Sequence, residues 1–337
     1  MNSETFIIAE IGVNHNGSME FAEKLVTHAK EAGADAVKFQ TFKADQITSR
    51  HAEKATYQRK SDDDQESQQE MLRKLELTAE QHRTLFDLCG HLEIEFISTP
   101  FNDDSVDLLN ELGVRTFKIG SGEITNFPLL AHIASKDKSI ILSTGMSTLE
   151  EVGTAIETIR EFNNQPLTLL HCLSQYPAPI EEVNLRAMQT LRDQFELPVG
   201  YSDHTDGIDI ALAAVALGAS VIEKHLTLDR SLPGPDHMAS LEPDDFSAMV
   251  KAIRRINKSL GNGVKAPAPS ELQTRDVARR SLIAAKPLKA GQRIEVSDIC
   301  IKRPGTGIPP SDIALVAGKI ATNDIPEDQI LTWDLFE

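Results

Sequence analysis

Along most of the chain, short runs rich in β-branched and other apolar residues alternate with stretches whose apolar residues recur at helical spacing. The β-like runs cover residues 6–12, 36–40, 95–100, 116–121, 139–145, 167–176, 198–204 and 221–227, and a helical stretch follows each. Eight such β/α units predict an α/β fold closed into a (β/α)8 barrel rather than an open doubly wound sheet. The helical stretches carry their own punctuation: Ser18 is a capping hydroxyl ahead of Met19-Glu-Phe-Ala-Glu-Lys-Leu-Val26, whose apolar residues fall on one helical face.

Two segments break the rhythm. The connection over residues 43–77 is long and polar, with an acidic stretch at 61–67. Connections of that length serve as lids over a site or run as solvated excursions. Residues 261–270 form a Gly/Pro-rich break of the kind that separates domains. The expected organisation is a barrel over 1–262, a linker over 263–280 and a small β-rich domain over 281–337. A domain that small is marginal alone, so it is expected to lean on a barrel, its own or a partner's.

At 337 residues the chain is long enough for a barrel of about 250 residues and an appendage. Its 34 basic and 51 acidic residues leave a net charge of −17, which argues against a nucleic-acid partner and requires any anionic substrate to find a local positive pocket. Three widely spaced cysteines, Cys89, Cys172 and Cys300, support neither a disulfide framework nor a cysteine zinc site, and cytoplasmic residence is expected. The N-terminus has no basic segment ahead of an apolar run, so no signal peptide is expected, and no run reaches the ~20 apolar residues of a membrane span.

Reading the last inward positions of the runs at period two collects Glu10, Lys38 with Gln40, Thr99, Lys118 with Ser121, Ser143, Ser174 with Tyr176, Ser202 with His204, and Glu223 with His225. His204 and His225 close neighbouring runs, and two imidazoles at the same end of adjacent strands can share a metal ion. Two lysines ringed by hydroxyls suit a phosphate or carboxylate. Lys118 sits between apolar neighbours in Phe117-Lys-Ile-Gly-Ser-Gly-Glu123, where glycines let backbone approach a ligand. Glu10 and Glu123 can handle protons or bond a sugar hydroxyl, and the stiff turn Pro233-Gly-Pro-Asp236 is expected to hold Asp236 over the mouth.

Nine motifs in order resemble the bacterial N-acetylneuraminate (sialic acid) synthase family, including its legionaminic and pseudaminic acid relatives. They are Ile8-Ala-Glu-Ile-Gly-Val-Asn-His-Asn-Gly17, Val37-Lys-Phe-Gln-Thr41, Ser98-Thr-Pro-Phe101, Lys118-Ile-Gly-Ser-Gly-Glu123, Leu142-Ser-Thr-Gly-Met146, Gly200-Tyr-Ser-Asp-His-Thr205, Glu223-Lys-His225, Pro233-Gly-Pro-Asp236 and Lys302-Arg-Pro-Gly-Thr-Gly307. The resemblance implies a TIM barrel followed by an antifreeze-like (SAF) domain. It implies condensation of phosphoenolpyruvate with N-acetylmannosamine, or a related N-acyl hexosamine, and water to give N-acetylneuraminate or a related nonulosonic acid and phosphate, assisted by Mn2+ or Mg2+. His204 and His225 match the metal ligands. Lys38, Thr99, Lys118, Ser121, Ser143, Ser174 and Ser202 match the phosphoenolpyruvate pocket. Glu10, Tyr176, Asp236 and Glu123 match residues around the sugar and the attacking water. From the chemistry of the step, Glu123 is expected to be the base and Glu10 to orient the acceptor. In the family the small domain reaches over the partner's barrel, so a domain-swapped homodimer is implied, with Arg303 approaching the sugar. At Cys172-Leu-Ser-Gln-Tyr176 the chain departs from many relatives, which have Thr in place of Leu173 or Asn in place of Ser174.

Three alternatives stay open at this point. A legionaminic acid synthase would take a diacetamido-trideoxyhexose. Tyr57-Gln58 and Gln65-Glu-Ser-Gln68 resemble the sialic and legionaminic forms more than the pseudaminic one. A Schiff-base aldolase would use Lys118 or Lys224 as nucleophile. A non-catalytic sugar-binding protein would leave the paired histidines without a role.

Overall fold

The computed structural model describes residues 4–49, 52 and 67–337. Eight parallel strands close into a barrel in chain order: β1 (Phe6–Gly12), β2 (Ala36–Thr41), β3 (Glu95–Pro100), β4 (Thr116–Ile119), β5 (Ser139–Ser143), β6 (Leu167–Cys172), β7 (Val199–Asp203) and β8 (Val221–His225), with β8 pairing back onto β1. The strands begin where the pattern predicts, to within a residue. From β4 onward they end one to four residues sooner, because the ladder stops where the backbone turns aside into the loops above the barrel.

The period of two explains how the lumen is layered. Lower inward positions are apolar: Ile8, Ala36, Ile97, Ile141, Leu170 and Val221 form a small plug inside the barrel. Two residues further along the same strands stand Glu10, Lys38, Thr99, Ser143, Cys172 and Glu223, so one step in the alternation changes a packed floor into a polar chamber. Outward positions such as Ile7, Phe39, Phe117, Leu169 and Tyr201 pack against the surrounding helices in the main core. Several of those helices start on side-chain caps, including Ser18 and the reciprocal boxes Thr78/Gln81 and Thr148/Glu151, which satisfy the first free N–H groups.

The chain divides into two compact units, Met1–Asn262 and Gly263–Glu337. The second has its own core around Leu282, Ile294, Ile308, Val316 and Leu331, with β9 (Ser281–Ala284) antiparallel to β10 (Ile299–Lys302). The stretch expected to be a linker contains a helix, Leu272–Ala278, and groups with this unit. Among the described residues no helix is long and apolar enough to cross a membrane. The acidic stretch 61–67, save Ser67, and Tyr57, Gln58, Gln65 and Glu66, whose segments resemble the sialic and legionaminic forms, lie outside the described residues.

Candidate active site

At the C-terminal end of the barrel lies a cavity of about 400 Å³ lined by Glu10, Lys38, Thr99, Lys118, Ser121, Ser143, Ser174, Tyr176, Ser202, His204, His225 and Asp236. Twelve of the fourteen residues to which the resemblance assigns a site role therefore line one cavity. Glu123 does not: it ends the short helix Ser121–Glu123, and its Oε2 accepts a hydrogen bond from Asn126 Nδ2 at 2.7 Å. The backbone turns at Gly120, so the alternation that would carry Glu123 inward no longer applies. Arg303 belongs to the C-terminal unit, where its side chain is exposed.

The chamber's base is a quartet of buried charges. Lys38 Nζ lies 2.5 Å from Glu10 Oε2 and 3.8 Å from Glu223 Oε2, and Lys118 Nζ lies 3.6 Å from Glu223 Oε1. The register sets these meetings, since Glu10 stands opposite Lys38 on one side and His225 on the other, and Ser202 stands opposite Glu223. Lys118 also donates to Ser143 Oγ at 2.7 Å, Lys38 to Thr99 Oγ1 at 3.3 Å, and Ser202 to Glu223 Oε1 at 2.8 Å. The two carboxylates differ in consequence. Burial disfavours both charges, but at Glu223 the two lysines and the Ser202 hydroxyl outweigh it and hold the group down to about 2. At Glu10 burial wins over Lys38, and the carboxyl is raised to about 7. Glu10 Oε1 is buried with no hydrogen-bond partner. Lys118 is lowered by burial despite Glu223, while at Lys38 burial is outweighed by Glu10 and Glu223.

Beside the quartet, Gly145 N–H donates to Ser121 Oγ at 2.9 Å, and Ser121 Oγ lies 3.1 Å from Cys172 Sγ. A Cβ at position 145 would collide with Ser174 Oγ, Cys172 Sγ and Ser121 Oγ, so only glycine permits this close cluster of hydroxyls and backbone N–H. Two lysines and such a cluster have the chemistry to hold an anion.

The His204 and His225 rings meet edge to face with centroids 5.4 Å apart, and the Tyr176 ring lies tilted against His204 at 4.2 Å. His204 Nδ1 is 2.8 Å from the Leu173 carbonyl. A carbonyl only accepts, so Nδ1 carries the proton and the Nε2 lone pair is left toward the cavity. His225 Nδ1 is buried without a hydrogen-bond partner, 3.7 Å from Asp236 Oδ2. Burial lowers His204 to about 4 and His225 well below its ordinary value, so both rings are neutral. Two neutral imidazoles with lone pairs to give fit a divalent metal. Among the described residues no cluster of three or more His, Cys, Asp and Glu side chains is arranged to hold a metal ion.

Lys224, between the paired residues of β8, points away from the cavity. Its Nζ donates to Asp203 Oδ2 at 2.9 Å and to the Thr205 carbonyl at 2.6 Å, and both charged side chains are fully buried. Asp203 Oδ1 in turn accepts from the Thr205 N–H and hydroxyl. This knot ties β7 to β8 one residue before each histidine, and it removes Lys224 as a Schiff-base nucleophile. Glu223, read from the sequence as an inward neighbour of His225, takes a central place in the quartet. The cavity also has an apolar side that the sequence reading missed, including Met71, Leu72, Leu75 and Phe101. The apolar spacing at 71, 72 and 75 was the available signal.

Comparison with known proteins places these features in company. Residues 25–265 match the NeuB family and residues 279–337 match the SAF domain. N,N'-diacetyllegionaminic acid synthase of Legionella pneumophila is 49% identical over 336 residues, covering 98% of this chain and 94% of that protein. The Campylobacter jejuni protein of the same name is 50% identical over 330 residues, covering 97% and 99%. The crystal structure of N-acetylneuraminic acid (sialic acid) synthetase from Leptospira borgpetersenii in complex with citrate superposes with a TM-score of 0.73 at 36% identity, covering 81% of this chain and 90% of that one.

Proposed function

The chain belongs to the NeuB family, and from that membership we propose that it condenses phosphoenolpyruvate with a diacetamido-trideoxyhexose and water to give diacetyllegionaminate and phosphate. The two bacterial relatives near half identity favour this acceptor over the N-acetylmannosamine that the motifs first suggested. The observation that carries the reaction is a single chamber in which two buried lysines ringed by hydroxyls adjoin two neutral imidazoles and the Glu10 carboxyl, whose Oε1 has no hydrogen-bond partner.

Lys38, Lys118, Ser143 and Ser121 hold the anionic donor, with Thr99, Ser174 and Ser202 closing the ring around it. His204 and His225 are the residues that would hold a divalent metal, Mn2+ or Mg2+, which when bound supplies a Lewis acid for the sugar aldehyde. Tyr176 and Asp236 orient the acceptor beside them. The donor's methylene carbon forms the new bond to the aldehyde carbon, and water adds to the donor's central carbon. Glu10 takes one proton from the water and yields it to the former aldehyde oxygen, and the adduct's remaining hydroxyl proton goes to phosphate as the C–O bond to phosphate breaks to leave the keto acid. Glu10 suits this part because burial raises its carboxyl to about 7, within reach of a water's proton, whereas two lysines and the Ser202 hydroxyl hold Glu223 down to about 2. We further propose the domain-swapped homodimer, with Arg303 serving the partner's acceptor.

Phosphate release from phosphoenolpyruvate, measured with Mn2+ across a panel of N-acyl hexosamines, tests the reading. The diacetamido-trideoxy sugar should give the highest kcat/KM, and chelation should abolish turnover until Mn2+ is restored. A higher kcat/KM with N-acetylmannosamine would make the chain an N-acetylneuraminate synthase. Borohydride inactivation in the presence of a keto acid would instead point to Lys118 as a Schiff-base nucleophile.

A further inference from the structure

We infer that the helix Gln68–Lys74 forms the wall that reads the far end of the acceptor, and that this wall selects a terminal methyl over a hydroxymethyl group. The inference rests on the acceptor class proposed above and names the part of the protein that enforces it.

The strand ends supply the cavity's polar lining. Its apolar side comes from elsewhere: Val13 above β1, Phe101 after β3, and Met71, Leu72 and Leu75 from the β2-to-β3 connection. Val13 and Leu75 pack with Phe42 in a cluster that Leu72 and Phe101 flank, and the Phe42 and Phe101 rings meet edge to face at 6.1 Å. Met71 and Leu75 are only 2% and 7% exposed, so the wall is a packed surface. Its helix is held at both ends. Ser67 and Glu70 form a reciprocal capping box at the start. At the other end Gly17 has φ +73°, and a Cβ there would come within 2.5 Å of the Lys74 carbonyl oxygen. Glycine lets the helix seat closely.

A sugar hydroxyl pressed against this wall would lose its water and find no donor or acceptor beyond a weak thioether. The donor is anionic throughout and belongs at the lysines. The acceptor's reacting aldehyde belongs at the histidines, so the segment for the wall is the acceptor's unreactive end. A methyl there is buried at no polar cost. Apolar surfaces reject an added hydroxyl modestly, on the order of 10²-fold at most.

Four acceptors decide the matter, all N-acetylated at C2 of the mannose framework, with acetamido or hydroxyl at C4 and hydrogen or hydroxyl at C6. The expected result for the wild-type chain is a kcat/KM about 10- to 100-fold higher for the C6-deoxy member of each pair, whatever stands at C4. Leu72→Gln should cut that ratio by roughly 5-fold or more through the acceptor KM, with the phosphoenolpyruvate KM unchanged, and Leu72→Met should preserve it. Gly17→Ala, away from the lining, should erode the ratio by displacing the helix. Equal kcat/KM within each C6 pair, or an unchanged ratio in Leu72→Gln, would overturn the inference. Preference at C4 tests the acceptor reading separately: indifference there with selection at C6 retains the wall and removes the diacetamido assignment. Phosphate release with none of the four would end both.

Discussion

Glu10 on β1 and Glu123 after β4 carry the same functional group at the same end of the barrel, but only Glu10 reaches the chamber. Glu10→Gln should therefore lower kcat by roughly 10²- to 10⁴-fold while leaving the phosphoenolpyruvate KM within a few-fold, in a steady-state phosphate-release assay. Glu123→Gln should stay near wild type, and a loss as deep as that of Glu10→Gln would return the base to Glu123. The sequence allowed Glu10 to be placed because it lies within a strand, where alternate residues share a face. Glu123 lies three residues past Gly120, where the chain has left the ladder and side-chain direction is set by local turns. His204 marks a second limit. Its tautomer is fixed by the Leu173 carbonyl, a backbone atom whose direction no residue identity at 173 announces.

At the level of elements, strands were legible from their start to their last paired residue, because burial on both faces imposes a strong pattern. The wall-forming helix was not, since it is short and lies within a polar connection. In the C-terminal unit Asp298 is buried, with Lys286 Nζ 2.7 Å from Oδ1 and the Glu295 N–H donating to Oδ2 at 3.0 Å. Lys286, then the Glu295 N–H, hold its carboxyl below the ordinary value of 3.8. A carboxyl lowered on folding stabilises the folded state above the unfolded value, and that contribution disappears as pH falls through the folded one. Asp298→Asn should thus cost about 2 kcal/mol at neutral pH, with the gap to wild type closing as pH falls below 3.8. The fluorescence of Trp333, the chain's single tryptophan and a member of this unit, would follow the denaturant midpoints. A gap that persists at low pH would contradict this.

For the whole molecule, the proposed exchange of small domains makes a prediction that neither unit alone could. In a swapped dimer, a chain bearing Arg303→Ala retains a sound barrel, and a chain bearing His204→Ala retains a sound small domain. Co-expressing the two should recover roughly a quarter of wild-type turnover, because half of the dimers would carry one complete site. Each variant alone should be strongly impaired. No recovery on mixing would mean that every chain serves itself. The two-unit organisation was legible from the Gly/Pro break near residue 262, whereas the helix Leu272–Ala278 was hidden behind that same composition.

The knot between Lys224 and Asp203 also governs how this sequence can drift. Removing one partner of a buried pair strands the other's charge at a cost of about 3–5 kcal/mol, a large share of the ~5–15 kcal/mol that holds a typical fold. Replacing both by well-packed apolar residues can be nearly neutral. Each position is thus closed to single changes and open only to a concerted one, an epistatic lock placed one residue before each histidine.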